Sequence, residues 1–216
     1  MTSEEAGLIG EFIKAANSWA IKIFGPTAEQ IGGLLGDYAE HFRRTVTINR
    51  MKGAILIDKK LSEENVLIRP LEEINPKIVG PILEGISLEE DETLRELWAN
   101  MFINYIDSKK NLNLIVYPGI LKQLSTNEVK VLIYMDKAKD QKLDLRKYPK
   151  PLDYEIEEIT NLERLNLIKE DLMYKVTKTP IRGNGEPYEV TDVESLATDV
   201  MKLTGFGSNF LDACRR

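Results

Sequence analysis

A single cysteine, Cys214, stands among 216 residues, which excludes an intramolecular disulfide and any metal site built from several thiolates. A reducing cytoplasm fits that usage. Histidine is equally scarce, with His41 alone, so no paired-histidine motif exists. A lone imidazole in an amphipathic segment, with no nucleophile beside it, is a weak general base candidate. Walker loop, dinucleotide-binding glycine fingerprint and nucleophile elbow are all missing. Long apolar runs are missing too: none reaches the about 18 residues of an ordinary membrane-spanning helix. The opening Met1-Thr2-Ser3-Glu4-Glu5 is acidic where a secretory leader would be basic. Net positive charge is also lacking. The formal charge of -6 leaves only a local basic patch to attract nucleic acid. The sequence thus predicts no enzyme, no cofactor and no metal site.

The remaining composition is that of a folded chain, since 43% hydrophobic and 30% charged residues lie far from the balance of a disordered one. The pattern along it predicts a mainly α protein. A helical bundle is expected over residues 1–120, and a winged-helix-like α+β module with a small β-hairpin over residues 121–216.

From Leu8 to Phe24, apolar Leu8, Ile9, Phe12, Ile13, Ala16, Trp19, Ala20 and Ile23 recur at helical spacing, with Lys14, Asn17, Ser18 and Lys22 on the other side. Such a stripe docks on its own protein or lies in a membrane interface, Trp19 at headgroup level. Phe12, Ile13, Trp19 and Ile23 are therefore candidate membrane or partner contacts. Gly25-Pro26-Thr27 ends this helix, and Thr27 with Gln30 caps a second one that runs into the fifties. Its Ala28, Gly32 and Gly36 share a face where another helix can approach closely, so Gly32 and Gly36 join the candidate contacts.

Pro70, Pro76 and Pro81 predict only turns and short helices from Leu61 to Pro81. Ser87-Leu88-Glu89-Glu90 reads as a capping box, followed by acids at the end of the helix dipole that favours them. The helix it opens carries Leu94, Leu97, Trp98, Met101, Phe102, Tyr105 and Ile106 on one broad face, the expected centre of the core.

In the last third, Ser125-Thr126-Asn127-Glu128 opens a helix, and Ile156, Ile159, Leu162 and Leu165 mark another that runs into a strand near Ile168. Met173–Thr177 alternates as an edge strand, and Asp199–Thr204 is expected to return beside it across a long loop containing Gly183-Asn184-Gly185. Thr204 caps a terminal helix burying Phe206, Phe210 and Cys214. This order follows the winged-helix plan, with one helix of the usual three not distinguished. The helix expected to enter a DNA groove carries Glu155, Glu157, Glu158 and Glu163 against Arg164, which disfavours DNA reading. Lys175, Lys178 and Arg182 make the wing basic and are the candidate nucleic-acid contacts.

Pro81-Ile82-Leu83-Glu84, the acidic run, Leu94-Arg95-Glu96-Leu97-Trp98-Ala99 with Asn104, and Leu121-Lys122-Gln123-Leu124-Ser125 occur in an order that resembles the Abi-alpha family. Leu162-Glu163-Arg164-Leu165-Asn166-Leu167-Ile168 and Leu203-Thr204-Gly205-Phe206-Gly207-Ser208-Asn209-Phe210 resemble its C-terminal pattern. Two features depart from it: Asn166 stands where a glycine is expected, and the loop from Thr179 to Ala197 is long. The resemblance implies a bacterial protein of abortive-infection phage defence and transfers no catalytic residues. The expectation is a non-enzymatic defence protein acting through a protein partner, self-association or peripheral membrane contact, cytoplasmic or at the inner face of the membrane. The alternative is a winged-helix DNA-binding transcriptional regulator.

Overall fold

Pro76 and Pro81, expected to hold their region to turns and short helices, both lie inside one helix of 13 residues. The computed structural model describes residues 11, 14, 48–64, 66–110, 115–147, 150–181 and 188–216. In it, α1 spans Ile48–Glu63, α2 Pro76–Leu88, α3 Glu92–Ile106 and α4 Val116–Leu121. Pro76 occupies the first helical position, where its missing N–H would have no partner anyway. The Asn75 side chain caps the turn by accepting from Lys77 N at 3.0 Å. Pro81 gives up one ladder bond, and burial of Ile78, Ile82, Leu83 and Ile86 outweighs that loss.

The same burial moves a helix boundary. Ser87 does not cap α3; it sits in the last turn of α2, its Oγ donating to Glu84 O at 2.8 Å. The cap of α3 is Asp91, whose carboxylate accepts from Leu94 N at 3.0 Å. The apolar stripe of α2 continues to Ile86, so packing overrides the local Ser-x-x-Glu signal.

α1, α2 and α3 pack against one another, with Ile57, Ile82, Trp98 and Phe102 almost wholly inaccessible between them. α3 is buried on nearly every side, with every residue from Leu97 to Ile106 enclosed. A helix in that position normally carries few polar groups. Several donors of α3 reach backbone carbonyls: Arg95 Nη2 donates to Glu89 O and Glu90 O at 2.8 and 2.9 Å.

By compactness the described chain divides into two units, the first running to Thr126 and taking in Phe210–Arg216, the second covering Asn127–Asn209. The second holds most of α5 (Thr126–Lys137), then β1 (Lys142–Asp144), α6 (Ile156–Arg164), β2 (Ile168–Glu170), β3 (Met173–Ile181), β4 (Tyr188–Leu196) and β5 (Val200–Leu203). The terminal helix α7 (Gly205–Ala213) contributes to both units. The fold is mixed α+β and mainly helical, with small antiparallel sheets.

β1, β5 and β2 form a three-stranded sheet in that order, and β3 and β4 a separate two-stranded ribbon. Two strand expectations are corrected here. β5 does not return beside β3. It lies between β1 and β2, because Met201 stands opposite Leu143 and Leu203 opposite Ile168, and all four are buried. The stretch expected to be a loop contains β4, paired with β3 over nine residues.

Asn166 has φ 56, the left-handed region in which glycine is unstrained and asparagine is the best-tolerated replacement. Its carbonyl accepts from Thr204 Oγ1 at 2.7 Å. Thr204 Oγ1 in turn caps α7 by accepting from Gly207 N at 2.8 Å. A Cβ at Gly207 would run into the Leu167 carbonyl. Phe210 and Cys214 are fully buried, whereas Phe206 is only half-buried.

Candidate functional site

The β3–β4 ribbon carries exposed apolar side chains. In an antiparallel pair, directly opposed residues share a face, so the register places Tyr174, Val176 and Lys178 with Ser195, Val193 and Thr191. Tyr174, Val176 and Val193 are 65%, 56% and 62% exposed. The other face begins with Met173 opposite Leu196 and continues with Lys175 opposite Glu194 and Thr177 opposite Asp192. A two-stranded ribbon alone is marginally stable in water, and its outer strand edges are open to further pairing.

Lys175 and Lys178 are exposed on β3, but the ribbon is less basic than its first strand suggests. β4 supplies Glu189, Asp192 and Glu194, with Glu194 directly across from Lys175. Cations on one strand are thus balanced by carboxylates on the next. Arg182 lies outside the described residues. So do Phe12, Ile13, Trp19, Ile23, Gly32, Gly36 and His41.

α6 turns Ile159 and Leu162 inward and exposes Glu155, Glu157, Thr160, Glu163 and Arg164. Its N-terminus is closed by a reciprocal capping box in which Glu155 N donates to Glu158 Oε2 at 3.0 Å. Arg164 Nη2 donates to Asn161 Oδ1 at 2.6 Å. The exposed surface of this helix is therefore mainly acidic.

The outward face of the three-stranded sheet has the opposite character. Lys202 on the central strand stands directly opposite Lys142 on one side and Lys169 on the other. Asp171 receives Lys142 at 2.7 Å and Lys202 at 2.8 Å. These two hydrogen-bonded ammonium groups hold its carboxyl down to about 2, and the same contact pushes Lys142 upward. Alternation sends the neighbouring Leu143, Met201 and Ile168 into the core.

In the first unit, Arg95, Trp98 and Asn104 of the family resemblance are buried. Trp98 and Asn104 point inward, and Arg95 is spent on backbone carbonyls. Burial pushes the Cys214 thiol far upward, with Arg215 opposing only in part. A thiol held protonated is a poor nucleophile. Among the described residues no group of three or more His, Cys, Asp and Glu is placed to hold a metal ion. Among the same residues no helix is long and apolar enough to cross a membrane.

The sequence reading missed Tyr174, Val176 and Val193 as a surface, because β4 lacks a period-two apolar pattern: Val190 and Val193 stand three residues apart. The lysine row left no local trace, since its members are brought together by strands far apart in the chain. The sequence model of the family described as Abortive infection alpha matches residues 43–214. No curated protein and no solved structure matches the chain.

Proposed function

The chain belongs to the abortive infection alpha family, and from that premise we propose that it is a non-enzymatic phage-defence factor that acts by docking a protein partner on its β3–β4 ribbon. The observation that carries this reading is the exposed Tyr174–Val176–Val193 face on a ribbon whose strands pair with each other. Exposed apolar side chains gathered on one face are more often contact surface than solvent boundary. Aromatic residues such as Tyr174 are enriched among the anchors of protein interfaces.

The family residues support the non-catalytic part of the reading. Arg95, Trp98 and Asn104 are buried, and the Arg95 Nη2 and Asn104 Nδ2 donors are held by backbone carbonyls. The Leu8–Phe24 stripe supplies a second contact element, for a partner or for the inner face of the membrane.

We read the second unit as winged-helix-like, with the ribbon standing in the place of the wing. DNA recognition by α6 is the weaker use of that plan. Glu157 and Glu163 would face the phosphates, and Lys175 already faces Glu194.

Phage plating and host survival test the proposal in cells carrying Tyr174→Ser/Val176→Thr/Val193→Thr. These side chains are exposed, so the variant should fold and accumulate normally while protection falls by at least tenfold. Undiminished protection by an equally abundant variant overturns the docking role.

A further inference from the structure

Three lysines facing one another across three strands are a costly arrangement. Neighbouring strands lie about 4.8 Å apart, and like charges directly opposite destabilise a sheet. Lys142, Lys202 and Lys169 nevertheless occupy one register row. Asp171 compensates two of them, while Lys169 is exposed and has no carboxylate partner among the described residues. The flanks of β1 add exposed Lys139, Arg146, Lys147 and Lys150. Asp140 and Asp144 interrupt them in the chain and Asp199 lies beside Arg146, while Asp144 is paired with Arg146 at 3.1 Å. Lys150 donates to Tyr154 O at 2.9 Å. In a chain of net charge -6, this is a concentrated local excess of positive charge.

We infer that this outward sheet face and the β1 flank bind the phosphodiester backbone of a nucleic acid without reading its bases. The inference is independent of the ribbon and uses a different surface from the helix expected to enter a DNA groove. Charge complementarity selects the class of partner. Buried centres of protein interfaces are depleted in lysine and rich in aromatic anchors, and none of the exposed large hydrophobic side chains belongs to β1, β2 or β5. A lipid surface would call for apolar insertion beside the charges, which this face lacks for the same reason. Lysine ammonium groups suit phosphate oxygens as compact point charges. They fix a protein on the backbone while carrying no sequence information.

The test is fluorescence anisotropy of the full chain with a labelled mixed-sequence DNA duplex, its single strand and the matching RNA. With about four phosphates neutralised, affinity should fall on the order of 100-fold between about 50 and 200 mM salt, and two unrelated sequences should bind alike. Lys147→Ala/Lys169→Ala removes two exposed cations, so folding should be kept, as circular dichroism will check. Its salt slope should shrink by about two and its affinity at low salt fall about tenfold. Lys175→Ala/Lys178→Ala on the ribbon should bind like the parent. No binding at low salt overturns the proposal, as does binding undiminished by the Lys147/Lys169 pair or lost equally with the ribbon pair. Preference for polyglutamate or phosphatidylserine vesicles over every nucleic acid overturns it too, in favour of an acidic protein or a membrane.

Discussion

The side-chain amide of Asn104 donates to the backbone carbonyl of Ala213 at 3.0 Å, and the same nitrogen reaches Arg215 O at 2.8 Å. One turn earlier on α3, Asn100 Nδ2 donates to Cys214 O at 3.1 Å. The last carbonyls of a helix have no partner within it. Here two asparagines four residues apart on a buried helix supply the missing donors. This gives the family position Asn104 a structural role: it is fully enclosed and ends α7.

Replacing Asn104 by leucine should therefore destabilise the protein by about 2–3 kcal/mol, since the buried Ala213 carbonyl and the part-buried Arg215 carbonyl lose their donor while similar volume is kept. Asn104→Asp should be at least as harmful, because a carboxylate presents no donor to those carbonyls. Urea unfolding reads both changes as a lowered midpoint at unchanged slope. A midpoint within error of the parent for Asn104→Leu would show that water satisfies these groups instead.

Gly85 and Trp98 form a second fixed contact. A Cβ at Gly85 would sit 2.5 Å from Trp98 Cζ2, and the indole is buried, about 1% exposed. Gly85→Ala should cost about 1–3 kcal/mol through overpacking, although alanine has the better helix propensity. Near-ultraviolet circular dichroism should show a changed tryptophan environment. A stabilised variant with an unchanged spectrum would mean that α2 and α3 separate at little cost.

These two contacts mark how far the sequence could be read. The apolar stripe of α3 and the Thr204 cap are local patterns, and periodicity or residue type announces them directly. Asn104 carries no local sign of its role, since its partners lie more than a hundred residues away. Ser87 misled because a capping signal is worth about 1 kcal/mol, less than the burial that extends α2 past it. β4 was hidden by its charges. Glu189, Asp192 and Glu194 lower apparent strand propensity, yet Asp192 and Glu194 are exposed and Glu194 stands opposite Lys175. The exposed face of Tyr174, Val176 and Val193 then followed from a register that no local pattern specifies.

Asn166 offers a test of the family departure. At φ 56 the position suits glycine, and Asn166→Gly should leave stability within about 0.5 kcal/mol of the parent. Asn166→Val places a β-branched side chain in the left-handed region and should cost about 1–2 kcal/mol. Thermal unfolding of the two variants should fall clearly on opposite sides of that gap. Equal stabilities would deny that backbone strain governs the turn between α6 and β2.

Acid should destabilise the fold through named carboxylates. Burial tends to raise Asp107, but the Lys109 N–H and the Arg216 guanidinium overcome it and leave the group below the ordinary carboxylate value. Asp91 is lowered chiefly by the Leu94 N–H it accepts. A depressed folded-state pKa means that, between the two pKa values, the unfolded chain binds more protons, so stability rises with pH there. The contribution is complete above the unfolded value of about 3.9 and lost as pH falls through the folded one. Urea midpoints should be level from neutral pH to about 5 and decline below about 4. Asp107→Asn should start lower and show a shallower decline, and an identical slope would remove Asp107 from the acid response.

Cys214 reports on the same end of the molecule. Its thiol is fully buried and held protonated by desolvation, so the adjacent Arg215 and Arg216 do not activate it. Native protein at pH 8 should resist a thiol-specific disulfide reagent, whereas protein in concentrated urea should react at once. Slow native labelling then measures opening around the C-terminal turn of α7, because the thiolate forms only when water reaches it. Since Asn100 and Asn104 tie down that turn, Asn104→Leu should speed labelling. A loss of about 2 kcal/mol corresponds to roughly 30-fold faster reaction. Fast labelling of the parent would show that Cys214 is open to solvent in the native state. An unchanged rate in the Asn104 variant would separate the opening that exposes the thiol from the asparagine bonds that end the helix.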